Sequence, residues 1–519
     1  MSNTKTIAKN TGWYGVELAI ENILTLLTSI AIARYLGPEK MGYIIYVAYL
    51  ASIVGSLGAV GIPATVQKYM AEYLGQGDRG TARYIFLRTL VLQTILASLA
   101  TTGVILWVLS DASAENRLAS ILIALSIWPQ MVNTIPAMAN AAAEDLYRNM
   151  PASVISILVF FFSIAATVVF HWGVIGVGAS MLATRSVDFL VRFIPTFRWI
   201  FSWETTHAHP EGLQKRAINF AWKSLITMGL GLVVWDRSEF FLLKYLCSDI
   251  RQIAFYSVAF SMAGRLLVTA NVFGSAAGAT IFAQYGRDES KLPRLVSSAY
   301  RYLAISSIPI HTIFTALAVP TLLLLYGGKY KGAEAVVILA PLLGMSKAFS
   351  GPAQTLLQSF EKQHWVIAAT SLAGIVDIGV AWMLIPRYGA VGACIANGVA
   401  QFVAVALMWG VAIVLLKVRL PWMLTAKIAC ISITAGLAGH FCGKSLAPLW
   451  AVSVGGAVSL AVLLVLFYLF RILQEEDRYR LTQAASMLPA PLSGVARAAV
   501  LALIRTRRTH LAASNVELL

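Results

Sequence analysis

The sequence predicts an all-α, polytopic membrane protein built as two related halves, on three observations. Of 519 residues, 58% are hydrophobic and only 12% charged, about half the charged fraction of a soluble domain, and the mean hydropathy is +0.73. Apolar stretches of about 20 residues, the length of a membrane-crossing helix, recur with short polar gaps. The chain also echoes itself. Arg34-Tyr35-Leu36 with Tyr46 returns as Lys244-Tyr245-Leu246 with Tyr256, and Trp172-Gly173-Val174-Ile175-Gly176 returns as Tyr388-Gly389-Ala390-Val391-Gly392. Both echoes lie about two hundred residues apart, the mark of repeated helical halves, a common build of secondary transporters.

About fourteen spans follow from the apolar pattern. Six run over 13–36, 42–62, 84–110, 118–143, 151–171 and 173–195, making a first lobe of residues 1–196. A polar linker, 197–219, separates them from six more over 220–246, 253–283, 302–326, 333–360, 365–385 and 391–416, a second lobe of residues 220–417. Two further helices, 424–441 and 450–470, complete 418–471, and a basic tail occupies 472–519. Pro129, Pro136, Pro309 and Pro352 interrupt long spans and should bend them. Strands of alternating polarity, about 10 residues long, are absent, which argues against an outer-membrane barrel.

The net charge of +16 invites a nucleic-acid reading, but membrane topology accounts for it. With the N-terminus inside, Arg79, Arg83, Arg148, Arg198, Lys215, Arg216, Arg287, Lys362 and Lys417 all fall in cytoplasmic segments, as the positive-inside rule requires. The outer loops, such as Gly37-Pro38-Glu39-Lys40, are very short and hold few cations. Both termini are therefore expected in the cytoplasm, with the protein in the cytoplasmic membrane. Lys5 and Lys9 precede the first span without a small-residue cleavage site, so that span is read as uncleaved. Four scattered cysteines form no paired spacing. His207 and His209 are too few to hold a metal, and no cofactor is called for. In the tail, the apolar run 495–504 before Arg505-Thr506-Arg507-Arg508 reads as a helix on the anionic inner leaflet or as disordered chain.

Ionisable residues inside spans are costly and usually face an interior or a wet cavity. Glu17, Glu21, Thr25 and Thr28 lie on one face of the first span; Ser126, Gln130, Asn133 and Asn140 on one face of the fourth. Arg185, Asp188 and Arg192 share the sixth; Asp236, Arg237 and Glu239 the seventh; and Arg265 stands in the eighth. Lys347, Gln354 and Gln358 make a polar stripe in the tenth, and Asp377 is alone in the eleventh. Stripes from both halves imply a shared watery cavity. Arg265 and Lys347 could hold a phosphate or pyrophosphate there, the first by a bidentate fork and the second as a point charge. Arg185, Gln354 and Gln358 are further substrate-binding candidates, and Glu17, Glu21, Asp236 and Asp377 are candidates for ion coupling or structural pairing. Asp188 with Arg185 or Arg192, and Asp236 with Arg265, could instead be ion pairs serving structure alone.

Local motifs add a resemblance. They are Ala33-Arg34-Tyr35-Leu36-Gly37-Pro38-Glu39 with Gly42, Gly58 and Gly61, then Tyr69-Met70-Ala71-Glu72. Further along come Asp236-Arg237 with Tyr256, Tyr326-Gly327-Gly328 with Tyr330, and Ile385-Pro386-Arg387-Tyr388-Gly389-Ala390-Val391-Gly392-Ala393. In this order the chain resembles the polysaccharide (O-antigen type) flippases of the multidrug/oligosaccharidyl-lipid/polysaccharide exporter superfamily. The resemblance implies a V-shaped pair of six-helix lobes working by alternating access, two peripheral C-terminal helices, and a lipid-linked oligosaccharide on polyprenyl pyrophosphate as substrate. It also implies a cavity arginine in the eighth span, where Arg265 stands. Membrane lipids and polysaccharide polymerase machinery are the implied partners, and nucleic acid is not. The related peptidoglycan-precursor flippases are more basic in their first two helices, where this chain has Glu17 and Glu21. The rivals are a cation-coupled multidrug exporter of the same fold, a membrane-embedded glycosyltransferase, and a synthase scaffold. The glycosyltransferase would need catalytic carboxylates in a sizeable outer loop, which the chain lacks.

Overall fold

The computed structural model describes residues 2–473 except 112–113, 205–209, 211 and 237; beyond 473 it describes Asp477, Thr482 and Gly494. Over residues 2–20, and at a few positions within later helices, it describes the backbone alone. Among the described residues, twelve helices are long and apolar enough to cross a membrane, and a pair bent by 67° makes a thirteenth. The first of the twelve lies in α1 (Ser2–Gly58), in which two helices meet at a non-helical Gly37 (φ 74°) before Pro38. Counting those two helices separately gives the fourteen spans that the sequence predicts.

The first half continues through α2 (Ile62–Gly75), α3 (Arg79–Asp111), α4 (Ala114–Leu125), α5 (Ile127–Ala142), α6 (Met150–Val169) and α7 (Gly173–Phe201). The second comprises α8 (Leu213–Trp235), α9 (Glu239–Leu246), α10 (Arg251–Arg287), α11 (Leu292–Ala316), α12 (Ala318–Tyr326), α13 (Glu334–Gly344), α14 (Ser350–Ser359), α15 (Gln363–Tyr388) and α16 (Ala390–Leu416). Last come α17 (Trp422–Gly443) and α18 (Pro448–Leu469). These two pack on one another where Gly439 meets Gly455 and Ser459, and α17 rests on α11 where Gly436 meets the Thr312 carbonyl. Small residues permit such close helix contact in lipid. Ile375, Trp382, Phe162 and Val414 point outward, as side chains bathed by acyl chains do.

Three of the breaks have a proline signature. Proline removes its own N–H and crowds the carbonyl four residues back, so a helix parts just upstream of it. The α4–α5 junction at Ser126 precedes Pro129, the α11–α12 bend at Leu317 precedes Pro320, and the 3₁₀ turn Met345–Phe349 precedes Pro352. Pro136 and Pro309 stay inside continuous helices, so these two expected bends do not break their spans.

The sequence echo has a structural meaning. In the first half the Gly173 N–H donates to Tyr35 Oη at 2.9 Å; in the second the Ala390 N–H donates to Gln252 Oε1 at 3.0 Å. Each bond ties the start of a helix that opens on an echoed glycine, α7 after Trp172 or α16 after Gly389, to a distant helix of the same half. Gly173 and Gly389 adopt matching positive φ of 60° and 52°.

The halves touch near both ends of the second arm of α1. At the Gly37 end Arg34 Nε donates to the Leu325 carbonyl at 2.7 Å, and Tyr330 Oη donates to the Ala33 carbonyl at 3.1 Å. Gly42 abuts the Ile250 carbonyl so closely that a Cβ would sit 2.3 Å from its oxygen. One apolar cluster crosses both halves here, joining Ile32, Met41 and Tyr46 to Phe240, Tyr256 and Tyr330. About 30 Å away along the helix, Gly61 holds φ 70° with its Cβ position 2.1 Å from the Ala221 oxygen. Beyond it Arg216 pairs with Glu72 at 2.9 Å, and the Lys68 ammonium lies over the Phe220 ring. No residue but glycine fits at positions 42 and 61 while the halves stay this close.

Candidate functional site

Between the halves lies a cavity of about 630 Å³. Asn22, Thr25, Tyr49, Ser52 and Met181 line it from the first half; Asp236, Phe240, Ser257 and Arg265 line it from the second. Arg265, one of the cations singled out in the sequence, projects from α10 and donates through Nη1 to the Asn22 carbonyl of α1 at 2.9 Å. It therefore reaches across the interface. Asp236 opens onto the same cavity from the break between α8 and α9.

A second cavity, of about 370 Å³, lies within the first half and shares Thr25, Ala48, Ser52, Phe160 and Met181 with the first. Glu21, Gln130, Arg185 and Asp188 line it. Arg192 pairs with Asp188 at 2.9 Å, and Asn133 Nδ2 donates to the other Asp188 oxygen at 2.6 Å. The intrahelical pair expected around Asp188 is thus with Arg192, leaving Arg185 on the cavity wall. The polar stripe of the fourth span divides along α5. Ser126 and Gln130 face the cavity, whereas Asn140 bonds Thr196 and Asn149 at 3.0 and 2.9 Å. The Glu17 side chain, Arg237, both linker histidines and the tail beyond Ile472 and Leu473, Asp477 and Thr482 aside, lie outside the described side chains.

The second half holds a smaller cavity, about 140 Å³, with Lys347, Asn271, Asn397 and Gln401 on its wall. Lys347 does not line the Arg265 cavity; the two cavities meet at Phe260 and Gly264. Its ammonium donates instead to the Trp235 carbonyl at 2.7 Å, the last of α8. The break there, Trp235–Ser238, frees backbone groups that lipid cannot satisfy. Side chains take that role: Lys347 serves Trp235, Asn397 Nδ2 serves the Asp236 carbonyl at 3.4 Å, and Ser238 Oγ lies 3.0 Å from the Val233 carbonyl. A cation at a helix C-terminus also meets the favourable end of its dipole. Gln354 and Gln358, half-buried on α14, lie outside all three cavities.

Behind the break are two fully buried carboxyls, Glu239 and Asp377. Tyr256 Oη donates to Glu239 Oε2 at 2.9 Å, and Ser238 Oγ lies 3.2 Å from Asp377 Oδ2. The two carboxyls lie close enough to interact electrostatically. Asp377, solitary in the sequence, therefore has Glu239 as a neighbour across the break. No glycine or proline in Trp235-Asp236-Arg237-Ser238-Glu239 advertises the break that turns Glu239 inward.

Residues 7–285 match the family model described as "Polysaccharide biosynthesis protein", over half of the chain. The chain belongs to this family. No curated protein matches the sequence. Among solved structures it is similar to one described as the lipid II flippase MurJ in an inward closed conformation, at 13% identity and a TM-score of 0.66, over 88% of this chain and 98% of that one. It is also similar to an inward-facing multidrug resistance MATE family transporter of the MOP superfamily, at 18% identity and a TM-score of 0.61, over 76% and 96%. An outward-facing MATE family transporter gives 16% and 0.55, over 76% and 94%. At these identities the likeness establishes the fold: this polysaccharide biosynthesis family member has the helical architecture of MOP-superfamily transporters.

Within that fold Lys347 is a cap, and replacing it tests the role. Lys347→Met leaves the Trp235 carbonyl unserved in a dry interior, a loss of about 1–3 kcal/mol. The variant should unfold at lower temperature in detergent while transport per folded molecule holds. Lost transport at unchanged stability would instead put Lys347 on the substrate.

Proposed function

We propose that the protein is a flippase for lipid-linked oligosaccharide, carrying a glycan on polyprenyl pyrophosphate across the cytoplasmic membrane for cell-surface polysaccharide assembly. The observation that carries this reading is Arg265, a guanidinium in the wall of the cavity between the halves. A charge within a membrane is expensive and is kept where it serves a ligand or a path. A guanidinium fork fits the paired oxygens of a phosphate, and the pyrophosphate is a charged part that every such substrate carries whatever its sugars.

The headgroup enters the cavity while the polyprenyl tail remains in lipid. Rocking of residues 1–196 against 220–417 then carries the headgroup from the cytoplasmic to the outer side. The contacts at the Gly37 end and at the Gly61 end are the two gates that open in turn. Both termini stay cytoplasmic, as the distribution of Lys and Arg supports, and polymerase machinery takes up the product outside. The protein moves its substrate without making or breaking its bonds. Exchange of a proton or a monovalent cation at Asp377 and Glu239 supplies the coupling, because this pair adjoins the break in the seventh span.

A second reading is supported by Glu21 and Asp236, whose carboxyls also line the cavities: an exporter of lipophilic cations would present acidic groups there. Purified protein in liposomes separates the two. Movement of a fluorescent polyprenyl-pyrophosphate oligosaccharide from the accessible to the protected leaflet is the expected result, with no efflux of a lipophilic cationic dye. Dye efflux without lipid movement would overturn the flippase reading.

A further inference from the structure

The cavity inside the first half is a wall of hydrogen-bond acceptors. Ser126 Oγ donates to the Ile123 carbonyl at 2.6 Å, Ser156 Oγ to Ser153 at 2.9 Å and Thr184 Oγ1 to Ser180 at 2.7 Å. A hydroxyl has one proton and two lone pairs, so each of these groups has committed its donor to its own helix and offers acceptors to the cavity. Glu21 and Asp188 add carboxyl oxygens to the same wall. Asp188 is held in place by Arg192 and Asn133. The donors on the wall are Gln130, Arg185 and the hydroxyls of Thr25 and Ser52.

This pattern selects among ligands. A phosphate brings only acceptors and negative charge, and would meet two carboxyls. A lipophilic cation would want an aromatic enclosure, and the one aromatic side chain on this wall is Phe160. A polyol satisfies the wall: its many O–H groups donate to the hydroxyl and carboxyl oxygens, while its ring oxygens accept from Gln130 and Arg185. The volume of about 370 Å³ admits a sugar ring with its water. Phe160 belongs to both this cavity and the one holding Arg265, so its ring can pack on the C–H face of a sugar attached to a group at Arg265.

We infer that the first-half cavity, lined by Gln130, Ser156, Thr184 and Arg185 with Phe160 at its mouth, is a subsite for a neutral sugar of the glycan. The inference rests on the flippase reading above and adds where the sugar is read.

The test measures binding by native mass spectrometry of the full-length protein in nanodiscs. The probes are the lipid-linked glycans extracted from the cells that make the protein, and bare polyprenyl pyrophosphate. Wild type should prefer the glycosylated lipid by about tenfold or more, the worth of a few buried hydrogen bonds. In the double variant Gln130→Leu, Thr184→Val that preference should vanish while affinity for the bare lipid holds, which also shows that the variant is folded. Arg265→Ala should weaken both probes alike. A preference undiminished in the double variant, or absent in wild type although bare lipid binds, would overturn the sugar subsite and leave the flippase reading standing. If wild type binds neither probe, the flippase reading fails and the subsite with it.

Discussion

Arg265→Ala should reduce transport of a lipid-linked oligosaccharide by about 50-fold or more, the worth of one charge-assisted contact to phosphate in a dry site. Two losses contribute. The guanidinium no longer meets the headgroup, and the bond to the Asn22 carbonyl that links α10 to α1 disappears. Arg265→Lys separates them. A lysine keeps the positive charge but not the planar fork, so it should recover part of the transport, still about tenfold below wild type. Arg265→Gln can still donate to a backbone carbonyl but carries no charge. If the interlobe bond alone matters, the lysine and glutamine variants, which both still donate, should transport alike. If the charge matters, the lysine variant should exceed the glutamine variant. Initial rates in liposomes, normalised to folded protein by size-exclusion chromatography, decide between these outcomes, and normal rates in all three variants would remove Arg265 from the substrate path.

What the sequence made legible follows from which physical rules are local. Membrane spans depend on composition within one helix length, so their approximate number was within reach, as was the repeat that gives Gly173 and Gly389 matching positive φ. Breaks at Pro129 and Pro352 were readable because proline acts on its own turn. The break after Trp235 was not, because the side chains that satisfy it, Lys347 and Asn397, come from distant segments. For the same reason Lys347 looked like a residue in search of a ligand. Its partner is a backbone carbonyl, and backbone partners leave no trace in side-chain patterns. Glu239 was seen as one of three charges in a row, and only the local unwinding turns it toward Asp377 while Asp236 faces the cavity.

That unwinding makes Asp377→Asn the sharpest test of coupling. The asparagine keeps a hydrogen-bonding group of the same shape beside Ser238 and Glu239, so stability should change by no more than about 1 kcal/mol. It cannot exchange a proton or offer a carboxylate to a cation. Stimulation of transport by an imposed proton or sodium gradient, a coupling of about tenfold, should therefore be lost, leaving the slower gradient-free rate. Asp377→Ala differs: it empties a buried site and strands Glu239 and Ser238, at a cost of about 2–4 kcal/mol, and should be read as a folding defect. Asp236 lines the substrate cavity, Ser238 contacts Asp377, and Glu239 is bonded to Tyr256, so the segment around the α8–α9 break touches both the substrate space and the carboxyl pair. A ligand can shift an equilibrium only through contacts that differ between its states, and this segment is where an ion at the pair and a headgroup in the cavity would feel the same displacement. If Asp377→Asn retains its full response to both gradients, the pair is a structural clamp and the driving ion binds elsewhere.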